Sequence, residues 1–442
     1  MSFSPHILLD ILQACPPTPK IWVAYSGGVD SHVLLHALVQ LRDNGFLFSK
    51  TSGIAAIHIH HGLHPQAEVW LEHCQTVCQK LDVSCETVRV CAHAKHRESP
   101  EAKARQVRYE ALIQQLAQEE VLLTAHHEDD QAETVLLQLL RGSGVAGLSA
   151  MPQLARLGPG WIMRPLLGWT RAQLHRYAQK ERLHWIEDPS NHDIRFDRNF
   201  LRHEVIPQLR RRWPAMNSSL SRSAQHMAQA NDLMIALAQQ DLSFCQDQLP
   251  EQLNLPLFLK LSVARQHNVL KYWFKHLGLS SPNRVHIQAI LDELIPASED
   301  RQPVVKWPGT QVCRFRHALF AMPTLPPLPK KSLSIPWEFP VPLSLPWGRL
   351  IARPSFGKGL LLSPQLPLQV RFRQGGEICY WRGHHHEVKK LLQEVHIPPW
   401  QRPFIPLIYL EKTLIAIPGI GIFHHVTNSS QDHGWKIQWE QL

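Results

Sequence analysis

The 442-residue sequence contains no run of eighteen apolar residues, so nothing in it reads as a membrane-spanning helix. Its longest greasy stretch, Leu414–Phe423, is broken by Pro418 and two glycines. The opening MSFSPHILLDILQACPPTPK lacks a positively charged start, and a secretory leader is not expected. No CxxC pair occurs among the eight cysteines (Cys15, Cys74, Cys78, Cys85, Cys91, Cys245, Cys313, Cys379). That argues against a disulfide framework, a zinc knuckle or an iron–sulfur site. Cys74 and Cys78, four apart, suit packing on one helical face. Charged residues are only 19% against 44% hydrophobic, a balance that excludes wholesale disorder. The formal charge of +9 favours a polyanionic partner without requiring one. A cytoplasmic protein without membrane contact is expected.

A chain of this length exceeds one ordinary core, so two or three domains are expected. The first 215 residues alternate strand and helix patterns. Strands are expected at Ile21–Tyr25, Ile54–Ile59, Thr87–Val90 and Val121–Ala125. Helices are expected after the first strand to Gly45, then at Glu68–Leu81, Glu101–Leu116 and Asp129–Leu140. Such alternation implies an α/β fold with a parallel sheet and helices on both faces. Ligands then gather beyond the carboxyl ends of the strands. Residues 216–322 read as a helical domain, with Ser281-Pro282 expected to open a helix. Residues 323–367, studded with proline, read as linker or edge structure, since proline fits neither a helix interior nor a central strand. Residues 368–442 read as a small α+β domain around a helix at Glu387–Val395.

Strand one runs into Ser26-Gly27-Gly28-Val29-Asp30-Ser31. Two glycines let the backbone pass close to a ligand, and the amides opening the next helix face outward, as a phosphate cradle needs. The lysine and spacing of a Walker A loop are missing, which disfavours γ-phosphate transfer. SGGVDS resembles the PP-loop of the N-type ATP pyrophosphatases. The resemblance implies a doubly wound, Rossmann-like sheet that binds ATP through Ser26, Gly27, Gly28, Val29, Asp30 and Ser31. It also implies attack at the α-phosphate with release of pyrophosphate. Asp30 is the candidate carboxylate for Mg2+, a hard cation that prefers oxygen.

The fourth strand ends in His126-His127-Glu128-Asp129-Asp130-Gln131-Ala132-Glu133-Thr134. Asp130, Glu133 and Thr134 share one helical face in the first turn, beside His127. Acidic first turns are common for dipole reasons alone, but the full HHxxDxxET string resembles the lysidine-synthetase branch of the family. By that resemblance Asp130, Glu133, His127 and Arg105 (within EAKARQVRYEAL) are catalytic candidates. The segment from Asp188-Pro189-Ser190-Asn191 to Arg202 resembles the branch too, and makes Asn191, Arg198, Asn199 and Arg202 tRNA-binding candidates. The triplet Arg210, Arg211, Arg212 suits a phosphate backbone or merely a solvated helix end. His58, His60, His61 and His64 lie around strand two without paired acidic or cysteine ligands, so a zinc site is not expected. His60, His61 and Gly62 stand where the family lines its nucleotide pocket.

Residues 254–321 and 368–442 resemble the branch's middle and C-terminal modules. The resemblance implies ATP-dependent addition of free L-lysine to the wobble cytidine of tRNA(Ile) with a CAU anticodon, and no obligatory protein partner. Competing readings are tRNA thiolation, a small-molecule amide synthetase, and a non-catalytic RNA-binding relict. Thiolation enzymes with this loop commonly carry paired cysteines, absent here. An amide synthetase needs neither the arginine cluster nor two further modules. Intact signature strings argue against a relict. Which of Asp130, Glu133 and His127 deprotonates the lysine amine stays open.

Overall fold

The structure, a computed structural model, describes residues 2–46, 53–60, 62, 65–91, 100–298, 301–356, 359–360, 366–381, 383–423 and 433–441. Two compact units divide the chain, Met1–Met234 and Ile235–Leu442.

In the first unit the strands are β1 (Ile21–Ala24), β2 (Ile54–His60), β3 (Ser84–Arg89), β4 (Val121–Leu123), β5 (Leu154–Leu157) and β6 (Gly160–Met163). Its helices are α1 (Ile7–Leu12), α2 (Val29–Asp43), α3 (Ala67–Lys80), α4 (Pro100–Gln115), α5 (Glu128–Leu140), α6 (Val145–Leu148) and α7 (Arg171–Lys180). Beyond them α8 (Asp197–Phe200) and α9 (Ile206–Arg212) are joined by a π-type turn, Leu201–Val205, and α10 (Met216–Cys245) follows. Among the described residues the sheet order is β3-β2-β1-β4-β6-β5. The first five of these strands are parallel neighbours; β5 runs antiparallel to β6 along the edge.

Strand alternation explains the two layers. Ile21 and Val23 enter a core shared with α2, α3 and α7, while Trp22 enters the opposite one with Leu112 of α4 and Leu116 just beyond it. With both faces covered, β1 and β2 are apolar nearly throughout. Cys74 and Cys78 sit in the first core, as their spacing suggests. Strand order reverses between β1 and β4, so the loops that follow these two strands face each other across the carboxyl edge.

The second unit begins with four strands: β7 (Gln252–Asn254), β8 (Val304–Trp307), β9 (Thr310–Phe315) and β10 (Ala318–Pro323). They pair in the order β7-β10-β9-β8 and pack with α11 (Leu255–Phe258), α12 (Val263–His276) and α13 (Arg284–Ala289) around Trp273 and Phe274. The module is helical as expected, with a four-stranded sheet added that the sequence pattern signals only weakly. Strands of three to six residues between tight turns carry too few alternations to stand out in sequence. The α13 cap is corrected: Asn283, not Ser281, accepts the His286 N–H through Oδ1 at 3.0 Å. Asparagine caps as well as serine, and with the helix starting at Arg284, Pro282 stays outside it.

The proline-rich segment is not simply a linker. It holds β11 (Ser334–Trp337), β12 (Leu343–Leu345) and β13 (Gly348–Phe356), and buries Trp337, Phe339, Leu350 and Leu360 in one core. Pro336 lies on β11, an edge strand beside β14 (Leu368–Arg371), where a missing donor is tolerated. The rest comprises β15 (Ile378–Trp381), β16 (His384–Glu387), α14 (Val388–Glu394), β17 (Leu407–Leu410), β18 (Thr413–Ile417), β19 (Gly421–Ile422) and β20 (His433–Gln441). No helix of the described residues is long and apolar enough to cross a membrane.

Candidate active site

Gly27 adopts φ +82°, and a Cβ there would come within 3.0 Å of Cys74 Sγ and Ile186 Cδ1. The positive φ favours glycine, and any larger residue would also have to push those two side chains aside. The loop is knitted by its serines: Ser31 Oγ donates to Gly28 O at 3.0 Å and lies 3.1 Å from Ser26 Oγ. Gly28 caps α2 without a side chain, leaving the first amides of a fifteen-residue helix open to an anion. Val29 is buried in the core, so only its backbone can serve a nucleotide. Asp30 turns Oδ2 toward His127 Nε2 at 3.6 Å, while its Oδ1 is buried with no hydrogen-bond partner. An orphaned carboxylate oxygen beside a phosphate cradle fits Mg2+, which is usually held by one or two carboxylates together with substrate phosphates.

His127 caps α5. Its Nδ1 accepts the Asp130 N–H at 3.3 Å, and its own N–H donates to Asp130 Oδ2 at 3.0 Å. The neutral ring therefore carries its proton on Nε2, facing Asp30. Burial would lower the pKa of His127, but the carboxylates of Asp130, Asp30 and Asp129 outweigh it and hold the value above the ordinary one. His126 differs: burial first, then Arg164, Arg198 and Arg108 against the pull of Asp130, bring it down to about 3.

Asp130 and Glu133 are enclosed by two arginines. Arg198 Nε donates to Glu133 Oε2 at 2.7 Å and its Nη2 to Asp130 Oδ1 at 3.2 Å. Arg202 Nε donates to Glu133 Oε1 at 2.6 Å and its Nη2 to Asp130 Oδ1 at 3.2 Å. Burial opposes ionisation of Asp130, yet His127 and Arg198 carry its carboxyl well below the usual carboxylate range. Arg198 and Arg202, expected at the RNA, are thus occupied by internal carboxylates. Each guanidinium is forked onto carboxylates of α5, a pairing that their spacing in sequence does not announce. Asn199 likewise donates Nδ2 to Ser190 O and Asp193 O, holding its own loop. Asn191 is exposed with no described side-chain hydrogen bond; its backbone oxygen meets His203 Nε2 at 2.8 Å and its backbone N–H donates to Asp188 O at 3.1 Å.

Arg105 makes no described ion pair with Asp130 or Glu133. It lies over the Tyr109 ring at 5.1 Å, alongside Arg108 at 5.7 Å. Burial would raise the Tyr109 pKa, but Arg105, Arg164 and Arg108 bring it below the ordinary value. Arg164, at the end of β6, was not anticipated. It is buried, its Nη1 donates to Pro152 O at 2.8 Å, and its Nε has no partner. Its only sequence signal was an arginine closing a short apolar run. Of the histidines on β2, His58 is buried against Tyr25 O at 3.0 Å and His60 faces Glu68 at 3.3 Å. His61 and His64 lie outside the described residues. No group of three metal-ligating side chains occurs among the described residues.

A PP-loop domain family matches residues 6–209, a TilS substrate binding domain 253–320, and a TilS substrate C-terminal domain 368–439. A tRNA(Ile)-lysidine synthase of Coxiella burnetii is 42% identical over 441 residues, covering 99% of this chain and 96% of that one. The chain belongs to the tRNA(Ile)-lysidine synthase family. The family member of Pectobacterium atrosepticum is 39% identical over 442 residues, 99% of this chain and 98% of its own. A third, from Alkalilimnicola ehrlichii, is 39% identical over 424 residues, 95% of this chain and 93% of its own. The loop at Ser26–Ser31 and the helix opened by His127 both lie within the PP-loop match.

Proposed function

We propose that the chain joins free lysine to the wobble cytidine of tRNA(Ile) with a CAU anticodon, changing codon reading from AUG to AUA. The observation that carries this reading is the 3.6 Å contact of His127 with Asp30, which joins the two signature motifs at the switch point of the sheet. In the first step the cytidine base oxygen attacks the α-phosphorus of ATP; an O–P bond forms and pyrophosphate leaves. In the second the lysine ε-amine attacks the adenylated carbon; a C–N bond forms, the C–O bond breaks, and AMP leaves. Ser26–Ser31 cradle the phosphates. Mg2+ held by Asp30 would neutralise their charge.

The ε-amine has an unperturbed pKa of about 10.4 and must lose a proton before attack. Asp130 is a weak base, and both oxygens of Glu133 are engaged by arginine. His127 can take the proton at Nδ1 by giving up the Asp130 N–H that it accepts there. Protonation would turn its Nδ1 from an acceptor into a donor toward Asp130 Oδ2, 3.4 Å away. Asn191 and the cationic group of Arg105, Arg108 and Arg164 are candidates for the RNA. Thiolation is disfavoured by burial: Cys74 is in the core, its thiol pushed up to about 12.

The adenylation step can be tested without lysine. The tRNA transcript is incubated with enzyme and ATP labelled at the α-phosphate. Label should appear on the tRNA and be released as AMP when lysine is added. A tRNA that stays unlabelled, or takes label from γ-labelled ATP, would overturn the reading.

A further inference from the structure

Three thiols of the first unit share one core. Cys74 and Cys78 stand one turn apart on α3 and are buried; Cys85 stands opposite Ala56 at the edge strand β3 and packs half-buried against them. The Val83 amide donates to Cys78 O at 3.0 Å, folding the connection between α3 and β3 back on itself. The Cys78 thiol thereby meets Cys85 and donates a hydrogen bond to its sulfur. That bond brings the Cys85 thiol below its ordinary range, against burial and the Glu86 carboxylate. One turn back along α3, Cys74 Sγ lies 3.4 Å from His58 Nδ1 and 3.0 Å from where a Cβ on Gly27 would sit. The row of sulfurs runs from the sheet edge to the underside of the loop at Ser26–Ser31.

We propose that Cys85 and Cys78 form a reversible disulfide in response to peroxide, and that this bond weakens the hold of the Ser26–Ser31 loop on its nucleotide. The Cys85 thiolate attacks one oxygen of hydrogen peroxide; an S–O bond forms, the O–O bond breaks, and the departing hydroxide takes a proton to leave as water. The Cys78 thiol then attacks the sulfenic sulfur; an S–S bond forms, the S–O bond breaks, and the hydroxyl leaves as a second water with the Cys78 proton. Two electrons pass from the thiol pair to the peroxide. A disulfide draws its sulfurs to about 2.05 Å, closer than a hydrogen bond brings them. α3 is pulled toward β3, and Cys74 shifts against Gly27. The nucleotide effect rests on reading that loop as an ATP cradle; formation of the disulfide does not. Misplacing a site by about 1 Å costs on the order of a hundredfold.

Full-length protein is treated with hydrogen peroxide, quenched, alkylated and mapped by peptide mass spectrometry, with ATP affinity measured by calorimetry before and after. A linked Cys78–Cys85 peptide pair should appear, the Kd for ATP should rise at least about tenfold, and dithiothreitol should reverse both. Cys85→Ser and Cys78→Ala should each keep their ATP affinity through the treatment, and their affinity beforehand reports that they are folded. Cys91→Ser, at an exposed cysteine outside the row, should respond as the wild type does. Oxidation confined to Cys91, or a Cys78–Cys85 bond that leaves ATP affinity unchanged, would overturn the proposal. Reduced wild-type protein that binds no ATP would instead sink the nucleotide reading of the loop, while the peptide map still decides whether the thiol pair closes.

Discussion

The imidazole of His127 stands 3.6 Å from the carboxylate of Asp30, linking the loop after β1 to the helix after β4. Asp30 sits in the first turn of α2 with its side chain partly exposed and no role in the core. Asp30→Ala should abolish adenylation and leave the fold intact. Pyrophosphate release at the wild-type rate would contradict this.

Glu133 is 1% exposed and holds two guanidinium groups. Removing it leaves Arg198 and Arg202 close together with Asp130 alone between them. Glu133→Ala should destabilise the first unit by about 3–5 kcal/mol, the cost of breaking a buried ion network by deleting one partner. Denaturant unfolding measures it, and a loss below 1 kcal/mol would show that the network is not structurally important.

Arg210 is paired with Asp129, but Arg211 and Arg212 are exposed, with Arg212 beside the exposed ring of Trp213. Replacing Arg211 and Arg212 with alanine should flatten the log-affinity against log-salt line for tRNA by about 1.5–2 units, if each meets one phosphate. Arg210→Ala should change it little. An unchanged slope in the double variant would make these arginines a solvated helix end.

Acid should destabilise the protein through its buried neutral histidines. Burial brings His32 from 6.5 to about 4, and it is 5% exposed. Below pH 6.5 the unfolded chain takes up a proton that the folded chain refuses, so stability falls as pH drops toward 4. Linkage puts the His32 share at about 2 kcal/mol between pH 8 and pH 5. His126 acts in the same direction. His127 acts oppositely: its raised pKa stabilises the fold below 6.5, and that contribution is lost as pH rises through the folded value. His32→Asn should flatten the decline in denaturation free energy over this range; an unchanged decline would assign it to other groups.

Much of the first unit is legible because parallel strands buried on both faces read as apolar runs, and the helix caps carry their own chemistry. The edge pair β5 and β6 was not read, since each is four residues long. The site was legible where a motif is contiguous, at Ser26–Ser31 and His126–Thr134. It was not legible where side chains pair across the fold. Arg198 and Arg202 lie 65 to 69 residues from Glu133, and sequence spacing cannot tell an arginine bound for phosphate from one bound for a carboxylate.

The account's central claim is tested most directly by following labelled lysine into a CAU-anticodon tRNA(Ile) transcript. Incorporation should require ATP, produce AMP and pyrophosphate, and vanish when the wobble cytidine is replaced by uridine. Label that enters the uridine transcript equally well, or enters without ATP, would contradict the account.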